Sequence, residues 1–125
     1  MLFDSDVIIW GLRGDHKAQS VLKEDAHRCI SAVTYIEVIR GLKTKEHMRC
    51  WKSLISELEI KIIHIDEIIS NKAMFWSEEF TLSHGLELAD ALIAATADAQ
   101  GLLLLTSNVK DYQFLPGLTI ETFKV

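Results

Sequence analysis

The chain has 125 residues, 49% of them hydrophobic and 25% charged, with one proline and six glycines. That length suits a single domain spanning 1–125, with enough apolar residues for a core and no Gly/Ser-rich or Pro-rich stretch to mark a linker or disordered tail. A net charge of −5 excludes binding of nucleic acid through a uniformly basic surface.

The opening, MLFDSDVIIW, has two acids inside its apolar stretch and no basic residue before it, unlike a signal peptide. Met1–Phe3 reads as a short strand ending at Asp4. Ser5 or Asp6 is expected to cap a helix through Trp10, closed by Gly11 and Gly14. His16–Glu24 is a second helical piece, and Arg28–Ser31 a short apolar strand. Ser31 or Thr34 then caps a helix near Tyr35–Leu42, with Gly41 near its end.

Charge is concentrated next. Arg40, Lys43, Lys45, Arg49 and Lys52 stand opposed only by Glu46 within 40–52. They form either a solvated helix face or a rim that touches phosphates. Residues 1–65 balance at +1 and residues 66–125 at −6, so the acidic surplus lies in the second half. Lys45–Leu58 shows helical spacing at Met48, Trp51, Leu54, Ile55 and Leu58. Lys61–Ile65 alternates as a strand, and Asp66 caps a helix over Glu67–Ser83.

Gly85 breaks the chain before a long apolar helix, Leu86–Gln100, which Gly101 ends. Asp90 and Asp98 interrupt it, so a membrane span is not expected. Leu102–Thr106 reads as a central buried strand and Leu118–Phe123 as the last one. Strands alternating with helices imply an α/β fold: three layers, α/β/α, around a mainly parallel sheet. In such sheets the active site lies beyond the carboxyl ends of the strands, where Asp4 and the Thr106-Ser107-Asn108 turn fall.

Three acids sit among apolar neighbours: Asp4, Glu37 within VTYIEVIRGL, and Asp90 within LELADALIAATADAQ. A buried lone carboxylate costs several kcal/mol unless it is paired or bound to metal. Each has a simpler reading: Asp4 as a helix cap, Glu37 paired with Arg40, Asp90 paired with a buried base. One shared divalent cation explains all three, and Mg²⁺ (or Mn²⁺) suits a few carboxylates around one cavity. Five separated histidines, at 16, 27, 47, 64 and 84, with no HExxH, argue against a zinc enzyme. Cys29 and Cys50 form no CxxC pattern, and a reducing, cytoplasmic location fits.

These segments resemble the PIN domain, and most of all the VapC toxins of prokaryotic toxin–antitoxin pairs. LFDSDVIIWGL resembles the family's opening strand with its metal-binding acid at Asp4; Ser5-Asp6 stands where Thr-Asn is usual. ISAVTYIEVIRGL resembles the second motif, with its acid at Glu37. LADALIAATADAQGLLLLTSNVKDY resembles the third and fourth, with an acid at Asp90. The resemblance implies a metal-dependent endoribonuclease that hydrolyses RNA phosphodiesters, with metal on Asp4, Glu37 and Asp90. At the fourth position it implies Asp111 as an outer, water-mediated ligand. Ser5, Asp6, Glu87, Thr106 and Asn108 are then supporting polar groups, and Arg40, Lys43, Lys45, Arg49 and Lys52 contact RNA. The partners implied are RNA, a cognate antitoxin and a second copy of the chain, with no membrane. Two alternatives stand beside this. One is a catalytically silent PIN scaffold that binds RNA or a protein, suggested by Asn108 in place of an acid. The other is a haloacid-dehalogenase-like phosphohydrolase, suggested by the LFDSD opening.

Overall fold

The computed structural model describes residues 1–125. Five short strands form one fully parallel sheet: β1 (Leu2–Phe3), β2 (Cys29–Ser31), β3 (Lys61–Ile63), β4 (Leu104–Thr106) and β5 (Ile120–Thr122). Their order is β3-β2-β1-β4-β5. Register sets Leu2 beside both Cys29 and Leu104, and Phe3 beside Leu105.

Strand side chains alternate between faces, so this register builds two cores. Leu2, Cys29, Ile63 and Leu104 face α5 (Glu67–His84) and α6 (Leu88–Gln100). Phe3, Ile30 and Leu105 face α1 (Ser5–Leu12), α2 (His16–Glu24) and α4 (Lys45–Glu57). Helix α3 (Ala32–Arg40) adds Val38 to the second core and Val33 to the margin of the first. The expected three-layer α/β/α arrangement is the one formed. Trp76 anchors one core and Trp51 the other, each with almost no exposure. No helix is long and apolar enough to cross a membrane.

Several boundaries differ from the sequence reading. Asp4 itself caps α1, accepting the Ser5 N–H, so neither Ser5 nor Asp6 is the cap. Ser31 caps α3, which begins three residues earlier than expected because the last residue of β2 is itself the cap. Helix α6 starts at Leu88, and Glu87 is its extended N-cap residue. Helices α5 and α6 end on Gly85 and Gly101 in the left-handed region, at φ 66° and 63°, where a side chain is strained.

The topology fixes where a site can be. Strands β2 and β3 lie to one side of β1, and β4 and β5 to the other. Winding reverses between β1 and β4, which opens a crevice beyond their carboxyl ends. Asp4 follows β1 there, and Thr106 ends β4. The first turns of α1 and α6 both carry their acids, Asp6 and Asp90, in this region, where helix dipoles favour negative charge.

Candidate active site

Asp4 is the buried centre of the crevice, only 6% exposed. Its backbone N–H donates to Leu105 O at 2.9 Å, tying it to the neighbouring strand. Its Oδ1 accepts the Ser5 N–H at 2.8 Å, and its Oδ2 accepts the Thr106 hydroxyl at 2.8 Å. The Tyr112 hydroxyl lies 3.1 Å from Asp4 Oδ2 and also 3.1 Å from Asp90 Oδ1. A phenol has one proton, so it donates to one carboxylate at a time. Tyr112 thus bridges the two acids from beneath, itself fully buried.

Burial and then Asp6 push Asp4 up to about 7, against the hydrogen bonds from Thr106, Ser5 and Tyr112. Burial also raises Asp90 to about 6; the Tyr112 hydrogen bond opposes this, and Asp111, Glu87 and Glu37 reinforce it. The Tyr112 hydroxyl is pushed far up, by burial and then by the two carboxylates, and stays protonated. Glu37 bonds to Ser5 Oγ at 2.5 Å rather than to Arg40. The ion pairs between side chains elsewhere, Arg49–Glu46 and Lys72–Asp98, leave these carboxylates without a basic partner. The simpler readings of Glu37 and Asp90 as halves of ion pairs are therefore overturned. Asp4 as a cap is correct but incomplete.

Residues 1–114 match the family model of the PIN domain. The chain belongs to the PIN-domain family. Ribonuclease VapC10 of Mycobacterium tuberculosis is 38% identical to it over 113 residues, 87% of this chain and 83% of that protein. The tRNA(fMet)-specific endonuclease VapC of Salmonella typhimurium is 22% identical, over 96% of this chain and 95% of its own length. Among solved structures, a toxin–antitoxin complex from Klebsiella pneumoniae superposes with a TM-score of 0.82 at 29% identity, covering 99% of this chain and 98% of the matched one. The VapBC-1 complex of nontypeable Haemophilus influenzae superposes with a TM-score of 0.80 at 21% identity, covering 97% and 96%, and bears on the fold alone.

Within this PIN domain the supporting groups have distinct tasks. Asp6 is a clasp: its Oδ2 accepts the Ser107 N–H at 2.8 Å, the Ser107 hydroxyl, and the Asn108 amide at 3.2 Å. It locks the start of α1 to the turn after β4. The Asn108 N–H donates to Thr106 Oγ1 at 2.9 Å, so this turn also orients the threonine on Asp4. Glu87, Asp90 and Asp111 line one cavity of about 100 Å³, with His84 and Phe114. The haloacid-dehalogenase alternative is set aside with the family membership, since the turn after β4 serves Asp4 and Asp6 instead of presenting a paired acid.

Two features escaped the sequence reading. Tyr112 gave no signal, because a lone tyrosine in KDYQF looks like any core aromatic. His84 and Phe114 are thirty residues apart, and only the fold brings them together. The basic residues Arg40, Lys43, Lys45, Arg49 and Lys52 are all exposed, as a contact surface requires. Arg40 lies one turn beyond Glu37 on α3. Lys43 lines a separate hollow of about 520 Å³ with Ile9, Arg13 and His47, away from the acids.

The donor set fits a hard divalent cation. It offers oxygen only, and two of its acids are raised toward neutrality by burial and by neighbouring carboxylates. Asp90 Oδ2 and Glu37 Oε2 receive no hydrogen bond from the protein. No three of the acids form a closed cage as they stand. Mg²⁺ does not need one, since it retains several waters and uses one or two carboxylates directly.

Proposed function

We propose that this chain is an endoribonuclease hydrolysing RNA phosphodiester bonds with Mg²⁺ or Mn²⁺, as the toxin of a VapBC-type pair. The observation that carries it is the crevice of unpaired carboxylates at the β1–β4 switch point, in a chain 38% identical to a ribonuclease. Asp4, Asp90 and Glu37 would hold the metal, and Asp111 would support it from outside through water. When bound, the metal supplies positive charge for the phosphate and lowers the pKa of a coordinated water. Thr106, Ser5 and Tyr112 hold Asp4 in place, and Tyr112 also fixes its spacing from Asp90. Ser5 orients Glu37. A cognate antitoxin is the natural regulator, and a basic antitoxin side chain entering among these carboxylates would compete with the metal.

Cleavage of single-stranded RNA with Mn²⁺, alongside calorimetric titration of Mn²⁺, tests this reading. Asp4→Asn and Asp90→Asn should each lower the rate at least about a hundredfold while leaving the fold intact. Asp111→Asn should cost less. Full activity in Asp90→Asn would overturn the site. Wild-type protein that binds neither Mn²⁺ nor Mg²⁺ would favour the silent scaffold, which the missing acid at Asn108 otherwise supports.

A further inference from the structure

The cavity beside Asp90 has one acidic wall and one aromatic wall. Glu87, Asp90 and Asp111 form the first, and His84 and Phe114 the second. The His84 and Phe114 rings are stacked, with centroids 4.4 Å apart and planes 22° from parallel. Phe80 supports both, edge-on to His84 at 5.6 Å and tilted against Phe114 at 5.4 Å. Phe80 and Phe114 pack on the core between the sheet and α5–α6, so the outer ring rests on a rigid base. His84 is the exposed member of the three. Its Nδ1 lies 2.8 Å from Ser83 Oγ, which fixes the ring plane.

This arrangement answers a problem that the acidic rim creates. A phosphate beside Glu87 and Asp111 is repelled unless a cation intervenes. A base is the uncharged, flat part of a nucleotide and suffers no such penalty. Unpaired bases are held on aromatic side chains, histidine included, by stacking that tolerates any base. The cavity itself has room for only a few waters at ~30 Å³ each and is too small for a nucleotide. A nucleotide must therefore lie across its mouth, with its base on the rings.

We propose that His84, backed by Phe114, is a stacking platform for an unpaired base adjoining the phosphate that is cut. The platform rests on the nuclease reading above and deepens it by naming a residue that holds a base beside the cut. Stacking of a flanking base is made equally in the ground state and the transition state, so its loss raises KM and spares kcat.

The test uses a short single-stranded RNA of randomised sequence, labelled at its 5′ end, with Mn²⁺. His84→Ala should raise the apparent KM about tenfold, leave kcat within about twofold, and alter the pattern of fragment ends. His84→Tyr should restore both KM and pattern, while His84→Lys should not. Because His84 is exposed, none of these changes threatens the core. Unchanged KM and fragment ends in His84→Ala would overturn the platform and leave the nuclease reading standing. Rescue by Lys in place of Tyr, or failure of Tyr to rescue, would overturn stacking as well. Absence of any cleavage by the wild type would fail the nuclease reading, and the platform with it.

Discussion

Asp4 accepts hydrogen bonds from Ser5 and Thr106 and shares a third, from Tyr112, with Asp90, yet burial outweighs them and lifts it to about 7. Its folded pKa, about 7, lies above the ordinary 3.8. Between those values the folded chain holds a proton that the unfolded chain has released. The stabilisation is therefore complete at low pH and is lost as pH rises through the folded value. Asp90, raised to about 6, acts in the same direction. The melting temperature of the metal-free protein should fall between about pH 4 and pH 7, and Asp4→Asn should flatten that slope. Since each pKa unit is worth ~1.4 kcal/mol, the Asp4 contribution is on the order of a few kcal/mol. Thermal melts in chelator across this range check it; a rising melting temperature would show that Asp4 is not held protonated. At this scale the sequence was legible for the three acids, because carboxylates among apolar residues demand a reason. It was illegible for Tyr112, whose hydroxyl matters only through two oxygens 108 and 22 residues away.

Helix termini do much of the positioning. Asp4 caps α1 with the same carboxylate that faces the crevice, so one side chain serves fold and site together. Asp6, in the first turn of the same helix, binds the turn after β4 and keeps both halves of the crevice in register. Helix positions were readable from apolar spacing and from the glycines that end α5 and α6. Cap identities were less so, because Asp4, Ser5 and Asp6 are three adjacent capping residues and only backbone geometry chooses among them. The same limit applies to the basic stretch across the end of α3 and the start of α4, where exposure alone does not separate a phosphate rim from a solvated face. Lys43 and Lys45 flank the junction of the two helices, free of the ion pair that engages Arg49 with Glu46 at 2.6 Å. Changing both to Glu should weaken RNA binding. If each touches a phosphate, the salt dependence should flatten by roughly 0.7 per contact on a single strand. An unchanged slope in binding titrations over varied salt would return the stretch to a solvated face.

Across the whole molecule, five bulky aromatics, Trp10, Tyr35, Trp51, Phe75 and Trp76, are a large load for a small core, and aromatics are enriched at interfaces. Trp51 and Trp76 are core, Trp10 and Tyr35 are half-buried, and only Phe75 of the five is exposed, at 54%. The apolar surface lies instead along α5, where Ile68, Phe75 and Leu82 are 69%, 54% and 101% exposed. Their spacing of seven places them on one side of the helix, a stripe roughly 21 Å long at ~1.5 Å per residue. Asn71, Lys72, Glu78 and Glu79 stand between them on that side, so the row is a set of spaced apolar contacts framed by polar groups. It is also self-complementary: two α5 helices running antiparallel about a two-fold axis bring Phe75 against its own copy and Ile68 against Leu82. A homodimer through α5 is thus the expected assembly. Phe75→Glu would set two like charges together on that axis at a position already more than half exposed. Wild-type protein should sediment as a dimer at micromolar concentration, and Phe75→Glu as a monomer with its melting temperature nearly unchanged. A wild-type monomer would remove the assembly, and a dimeric Phe75→Glu would move its interface away from α5.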